Sequence, residues 1–143
     1  MDIHAALDAP CPPAALFQWV DDLGRYPAWL GIVTRAEPDG ADAWSVDLRG
    51  RVGPLARSKR LRMQRTTLEA ERLAVFDRAE RDGRNHSPWM LRALVVPSGS
   101  GSRLEMDLHY GGGLWGPVLE RMLRDEIDRG RVRLLELVSE RTR

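Results

Sequence analysis

Three side chains of this sequence have the chemistry to transfer a proton. His86 follows a turn and stands just before Trp89, and imidazole is the side chain that changes charge near neutral pH, so His86 is the best general acid or base candidate. Tyr110 ends an apolar segment, and Glu126 lies at the border of an apolar stripe. The alternatives are an ordinary surface loop position for His86 and a solvent-directed carboxylate for Glu126. These residues indicate catalysis only if the fold brings them into a pocket.

No residue spacing predicts a metal site, a nucleotide site or a covalent catalyst. Cys11 is the only cysteine, and no His-x-His or Gly-x-Ser-x-Gly motif is present. Gly111-x-Gly113-x-x-Gly116 is literally a GxGxxG motif, but a dinucleotide fingerprint needs a parallel strand after its helix, and none is predicted here. We therefore expect neither a metal nor a cofactor.

A basic stretch lies in the middle of the chain. Seven cationic residues and no acidic residue stand between Arg49 and Arg65, although the net charge of the whole chain is only +1. Such a segment can attract phosphates, and an anion- or RNA-binding module is one hypothesis. The simpler interpretation is the solvated outer face of one hairpin, because no aromatic residues are interleaved with the cations. We expect no DNA partner.

The last stretch predicts a long amphipathic helix from about Pro117 to Glu140, with proline at its first position. Its apolar residues recur at three- and four-residue steps and form one stripe: Leu119, Leu123, Ile127, Leu134, Leu137 and Val138. Gly130 falls near the centre of this stripe. Because glycine weakens a helix, its position indicates either close approach of the sheet or room for a ligand.

The segments before this helix predict an antiparallel sheet. Alternation of apolar and polar residues marks one-sided strands, for example from Ile3 to Ala9 and from Trp44 to Leu48. Two short helices are expected after the first strand, one beginning near Pro12 and one near Tyr26. The loops between the later strands are of hairpin length, so the fold class is α+β, with a sheet of about seven strands curved around the long helix.

The composition is that of an ordinary globular domain. The 143 residues are 43% hydrophobic and 30% charged, and we expect one domain over residues 1–143. No apolar run reaches the roughly 18 residues of a membrane-spanning helix. The N-terminus lacks the pattern of a signal peptide, and a single cysteine cannot form an intrachain disulfide, so we expect a cytoplasmic protein.

This order of elements resembles the START/polyketide-cyclase superfamily (SRPBCC), which has the helix-grip fold of the birch pollen allergen. Residues 9–19 resemble its first strand and proline-started helix, and the segment from Leu23 to Trp29 resembles its short second helix. Residues 98–104 and the closing helix fit its last hairpin and lid. The resemblance covers essentially the whole chain. It implies a fold and a cavity rather than a reaction, because none of these segments is a catalytic signature.

The resemblance also implies an apolar pocket between the sheet and the closing helix. Five tryptophans suit such a pocket, because an indole combines a broad apolar surface with one N–H donor, although core packing is the alternative, favoured for Trp19. The predicted lining is Trp29, Trp44, Leu48, Met63, Phe76, Trp89, Leu91, Met106, Leu108, Tyr110, Trp115, Leu119, Leu123, Glu126, Ile127 and Gly130.

Three functional hypotheses follow. The first is a protein that binds or carries a small hydrophobic ligand, such as a lipid, quinone or polyketide. The second is a cyclase- or aromatase-like enzyme in which His86, Tyr110 or Glu126 transfers protons, and it requires polar groups deep in the pocket. The third is the anion- or RNA-binding module already described, using the segment from Arg49 to Arg65.

Overall fold

The structure, a computed structural model, describes residues 1–112 and 116–141. These residues form seven strands, two α-helices and one 3-10 helix in the predicted order. The elements are β1 (Asp2–Ala9), α1 (Pro13–Phe17), the 3-10 helix (Leu23–Ala28), β2 (Val33–Pro38), β3 (Ala43–Val52), β4 (Leu55–Glu69), β5 (Leu73–Arg78), β6 (Trp89–Ser98), β7 (Gly101–Tyr110) and α2 (Gly116–Arg141). The predicted α+β class, with a curved seven-stranded sheet and a long C-terminal helix, is confirmed.

The seven strands form one antiparallel sheet in the order β1-β7-β6-β5-β4-β3-β2. Strands β2 to β7 are a meander, and β1 completes the sheet by pairing with β7. The register shifts between Val33 and Arg35 and again between Arg65 and Thr67. Such bulges bend a strand and increase its twist. The sheet therefore has a concave inner face and a convex outer face.

Two hairpins of the sheet are closed by two-residue turns that contain glycine. Gly53 lies in the turn between β3 and β4 with a φ of 57°. Gly99 lies in the turn between β6 and β7 with a φ of 58°. Glycine adopts this left-handed conformation without steric cost, so the strands remain paired up to the turn.

The inner face of the sheet carries the core. Along β3 and β4 the inward positions are paired across the two strands, as Trp44 with Met63 and Val46 with Leu61, and all four side chains are buried. At one end of this face Phe76 makes edge contacts with Trp44 and with Tyr26 of the 3-10 helix, at centroid distances of 5.7 and 6.4 Å. The short helices thus close one end of the curved sheet.

Helix α2 crosses the concave face. Its predicted stripe is confirmed in that Leu123, Leu134 and Val138 are buried in the core. The helix packs mainly against β1 and β3, which lie towards opposite edges of the sheet, and therefore spans the strands between them. Among the described residues, no helix has both the length and the apolar character needed to cross a membrane.

Gly130 is buried, but neither of the two expected reasons explains it. A Cβ atom at this position would lie 3.0 Å from the backbone oxygen of Trp29 and 3.1 Å from Cδ1 of Leu30. The glycine therefore permits close approach of the segment after the 3-10 helix, whereas the sequence pattern indicated approach of the sheet or room for a ligand.

Candidate functional site

Two adjacent cavities lie between the concave face and α2. The inner cavity, about 110 Å³, is enclosed mostly by buried apolar side chains of the sheet, the 3-10 helix and α2. The outer cavity, about 240 Å³, is bordered by exposed residues of the β3–β4 hairpin and by the first turns of α2. The two share four residues of their walls, namely Ile32, Leu48, Trp89 and Leu123. The two cavities therefore adjoin, and we refer to them together as the hollow, whose inner end is apolar and whose open end is bordered by exposed residues.

The central strands show that the hollow is not filled by the protein's own side chains. Leu91, Met106 and Leu108 point to the concave face, in register with other inward residues, yet they are only half-buried. Leu48 and Ile127, which face them from β3 and α2, are half-buried too. An inward apolar side chain stays partly exposed only where nothing packs on it, and here α2 is supported towards the edges of the sheet instead.

Two aromatic residues of the inner cavity, Tyr26 and Trp29, use their polar atoms in bonds to the backbone. The Tyr26 hydroxyl donates to the backbone oxygen of Val20 at 2.9 Å, and Trp29 Nε1 donates to the backbone oxygen of Trp19 at 3.0 Å. Burial raises the pKa of Tyr26 far above its ordinary value, so its hydroxyl stays protonated and does not act as a base. Arg131 is the one charged residue along this cavity. The inner lining is otherwise apolar and without a proton-transfer group among the described residues.

Most of the predicted lining residues border the hollow. The inner cavity is lined by Trp29, Leu48, Met63, Trp89, Leu91, Met106, Leu108, Leu123 and Ile127. Tyr110 and Leu119 border the outer cavity, together with Leu48, Trp89 and Leu123. Trp115 lies outside the described residues.

Four predicted lining residues border neither cavity. Trp44 and Phe76 face inward as predicted, but they pack against each other at the end of the sheet where the core is solid. Glu126 bonds to Arg129 of its own helix, its side chain is 20% exposed, and its Oε2 would lie 3.1 Å from a Cβ at Gly31, so it borders neither cavity and does not extend freely into solvent either. Gly130, as described, meets the Trp29 backbone.

His86 borders neither cavity, and its imidazole is already bonded to a carboxylate. It lies in the loop between β5 and β6, and Nε2 is 2.8 Å from Oδ2 of Asp82. Their polar atoms and those of Glu80 lie within 4.8 Å of one another. Glu80 already accepts from the Arg62 backbone N–H, and Asp82 accepts from the Arg84 backbone N–H, which together with His86 lowers the pKa of Asp82. The cluster is accounted for by these bonds.

The basic stretch is not one outward surface. Strand alternation divides its cations between the two faces of the β3–β4 hairpin, and three of them form ion pairs with aspartates. The pairs are Arg60 with Asp47, Arg62 with Asp39 and Arg65 with Asp42. Arg57 and Lys59 turn to the concave side and border the outer cavity. The expectation of a solvated outer face is therefore wrong for these two residues, and the paired arginines weaken the RNA-binding hypothesis.

Sequence reasoning missed several residues of the hollow. Leu23, Tyr26 and Leu30 belong to the closing end formed by the 3-10 helix and the segment after it. No periodicity in such a short segment could have assigned them to the cavity. Arg57 and Lys59, in contrast, lie at even steps from the buried Leu61, and strict alternation would have turned them inward.

Comparison with known proteins agrees with this architecture. Residues 2–138 match the family described as "Polyketide cyclase / dehydrase and lipid transport". No curated protein matches the chain in sequence.

Solved structures match over nearly the whole length. A START superfamily protein from Mycobacterium smegmatis is 14% identical with a TM-score of 0.72, each chain being 97% covered. A conserved protein from Geobacillus kaustophilus is 11% identical with a TM-score of 0.69, with 95% of this chain and 96% of that one covered. The Zhui aromatase/cyclase of a Streptomyces species is 12% identical with a TM-score of 0.68, with 100% and 96% covered.

At these identities the solved structures show the fold alone. The family match covers all of the described elements from β1 to most of α2, including every residue that borders the hollow. The predicted membership of the START/polyketide-cyclase superfamily is confirmed by it. The chain therefore belongs to the family of polyketide cyclases, dehydrases and lipid transport proteins.

Proposed function

We propose that this protein binds a small, largely apolar molecule in the hollow beneath α2. Family membership supports a ligand-binding or cyclase role, and the geometry favours binding. The observation that carries the proposal is the half-exposure of Leu91, Met106 and Leu108 on the concave face. Apolar surface left open to water in the interior is unfavourable, and a ligand that covers it gains that free energy. We keep a cytoplasmic location as part of the proposal, because the chain's one cysteine, Cys11, is free and buried.

A cyclase- or aromatase-like reaction is the second candidate. Tyr110 favours it, because it borders the outer cavity and packs on Trp89 at a ring distance of 4.6 Å. The Zhui protein, with the same fold, is named an aromatase/cyclase. The hypothesis requires polar groups at depth, whereas His86 and Glu126 lie away from both cavities and the inner lining is apolar. Binding without catalysis is therefore the stronger proposal.

Fluorescence titration with the neutral dye N-phenyl-1-naphthylamine tests binding in the hollow. We expect saturable enhancement with the wild-type protein, and loss of it in Leu91→Trp, whose indole fills the inner cavity. Leu94→Trp is the matched control, because Leu94 lies on the same strand with the opposite alternation. Equal dye binding by the two variants, or no saturable binding by the wild type, would overturn the proposal.

A further inference from the structure

We propose that the open end of the hollow is an anion subsite, formed around Lys59 and Arg57, and that the ligand is an amphipathic anion with its tail in the inner cavity. This inference rests on the proposed function and specifies the chemical class of the ligand: one carboxylate-like group at the end of an apolar chain or ring system.

The register of the β3–β4 hairpin places both cations on the concave side. Lys59 lies opposite Leu48, and Arg57 lies opposite Gly50, whose missing side chain leaves room for Met122 of α2. Both cationic side chains border the outer cavity. A ligand whose tail lies among the inner apolar residues would thus have its other end between these two charges.

The charge of Lys59 has no acidic partner in the part of the chain that the structure describes. Within that part, no acidic side chain borders the outer cavity and Lys59 makes no ion pair, unlike the three aspartate-paired arginines of the same hairpin. Val118 and Leu119, at the beginning of α2, border the same cavity, and the first turn of the helix has no acidic residue. The positive end of the helix dipole therefore adds to the same potential.

Trp89, which belongs to the walls of both cavities, carries a buried hydrogen-bond donor without an acceptor among the described residues. The residue is only 5% exposed, and the donor is its Nε1. A buried N–H without an acceptor is costly, so proteins normally satisfy such a group. An oxygen of the ligand's polar group would accept from it. Three features of one end of the hollow thus favour the same ligand chemistry.

Displacement of bound N-phenyl-1-naphthylamine by three ten-carbon probes tests the subsite. We expect decanoate to displace the dye at a concentration about five- to tenfold lower than decanol, and decylamine to be the weakest. The advantage of decanoate should fall as the ionic strength rises, because exposed charges are screened. The double variant Arg57→Gln/Lys59→Gln should lose this advantage and keep its affinity for decanol.

The matched control is Arg49→Gln/Arg51→Gln, which removes two positive charges from the outer face of the same hairpin and should retain the preference for decanoate. Equal displacement by decanoate and decanol in the wild type, or equal loss in the two double variants, would overturn the anion subsite while leaving dye binding, and hence the proposed function, intact. Failure of the wild type to bind dye would overturn both.

Discussion

Tyr26 is completely buried beside the inner cavity, and its hydroxyl has one partner, the backbone oxygen of Val20. Burial, with a smaller contribution from the nearby carboxylate of Asp21, raises its pKa well above the ordinary value. The folded protein therefore holds this proton to a higher pH than the unfolded chain does. Its contribution to stability is fully present below about pH 10 and is lost as the pH rises further, because the unfolded state then gains by ionising.

The variant Tyr26→Phe separates two contributions of Tyr26 to stability, namely the hydrogen bond to Val20 and the ionisation of the hydroxyl at high pH. At neutral pH we expect a loss of about 1 kcal/mol in the free energy of unfolding, from the lost bond to Val20. At about pH 11 the difference in the free energy of unfolding between wild type and variant should shrink by roughly 1 kcal/mol. Each pH unit above the pKa of tyrosine in the unfolded chain lowers the free energy of unfolding of the wild type by about 1.4 kcal/mol, and the variant lacks this titration. Urea unfolding at both pH values measures it. A difference that stays constant with pH would contradict the assignment.

At the level of single residues, alternation and helical spacing predicted which side chains face inward but not which of them border a void. Trp44 and Leu48 are both inward residues of β3, and the sequence treats them alike. Trp44 is a core residue because Phe76 packs against it. Leu48 is a cavity wall because α2 packs towards the two edges of the sheet and leaves space beside this residue. That distinction depends on distances between elements, which no local pattern contains.

At the level of elements, Arg62 links several strand ends on the outer face of the sheet. Arg62 of β4 is 12% exposed and donates to the backbone oxygens of Asp39, after β2, and Ala79, after β5. Its Nε also lies 3.3 Å from the Asp39 carboxylate. It thus links the ends of three strands, and Arg81, which also donates to the backbone oxygen of Asp39, adds a second bond between two of these ends.

We expect Arg62→Met to lower the free energy of unfolding by about 2 kcal/mol, because two partly buried carbonyls lose a charged donor and the Asp39 carboxylate loses its ion pair. Arg60→Met is the matched control. Arg60 is the adjacent outward arginine of β4 and pairs with Asp47, but its side chain is 70% exposed, so we expect no measurable change. Chemical denaturation of both variants measures the difference. Equal effects would show that Arg62 is an ordinary surface residue.

The order and type of nearly every element could be predicted from the sequence, because apolar periodicity and turn residues are local signals. The role of the β3–β4 hairpin could not. Its seven cations form one run in the sequence, but the sheet turns Arg60 and Arg62 outward into ion pairs and turns Arg57 and Lys59 towards the outer cavity. The curvature of the sheet sets the position of the β3–β4 hairpin relative to α2. This curvature depends on bulges that the sequence does not mark clearly.

At the level of the whole molecule, the sheet and α2 differ in how they are held. The strands form a continuous ladder in which the interior strands are paired on both sides. Helix α2 is attached by packing towards the sheet edges and by the contact of Gly130 with the Trp29 backbone, with the hollow beneath its centre. Free energies of local opening follow the extent of buried contact, so the helix should open without unfolding of the sheet.

Native-state hydrogen exchange tests this. We expect the amides of α2 around Leu123 and Ile127 to exchange through a lower-energy opening than those of β6 and β7. With N-phenyl-1-naphthylamine at about 100 times its dissociation constant, exchange in α2 should slow by about 100-fold if the dye binds only the closed form. The variant Leu91→Trp should show no dye-dependent slowing, since its hollow is filled, whereas Leu94→Trp should respond as the wild type does. Exchange of α2 and the central strands through one common unfolding reaction, unaffected by dye, would mean that the helix is an integral part of a solid core.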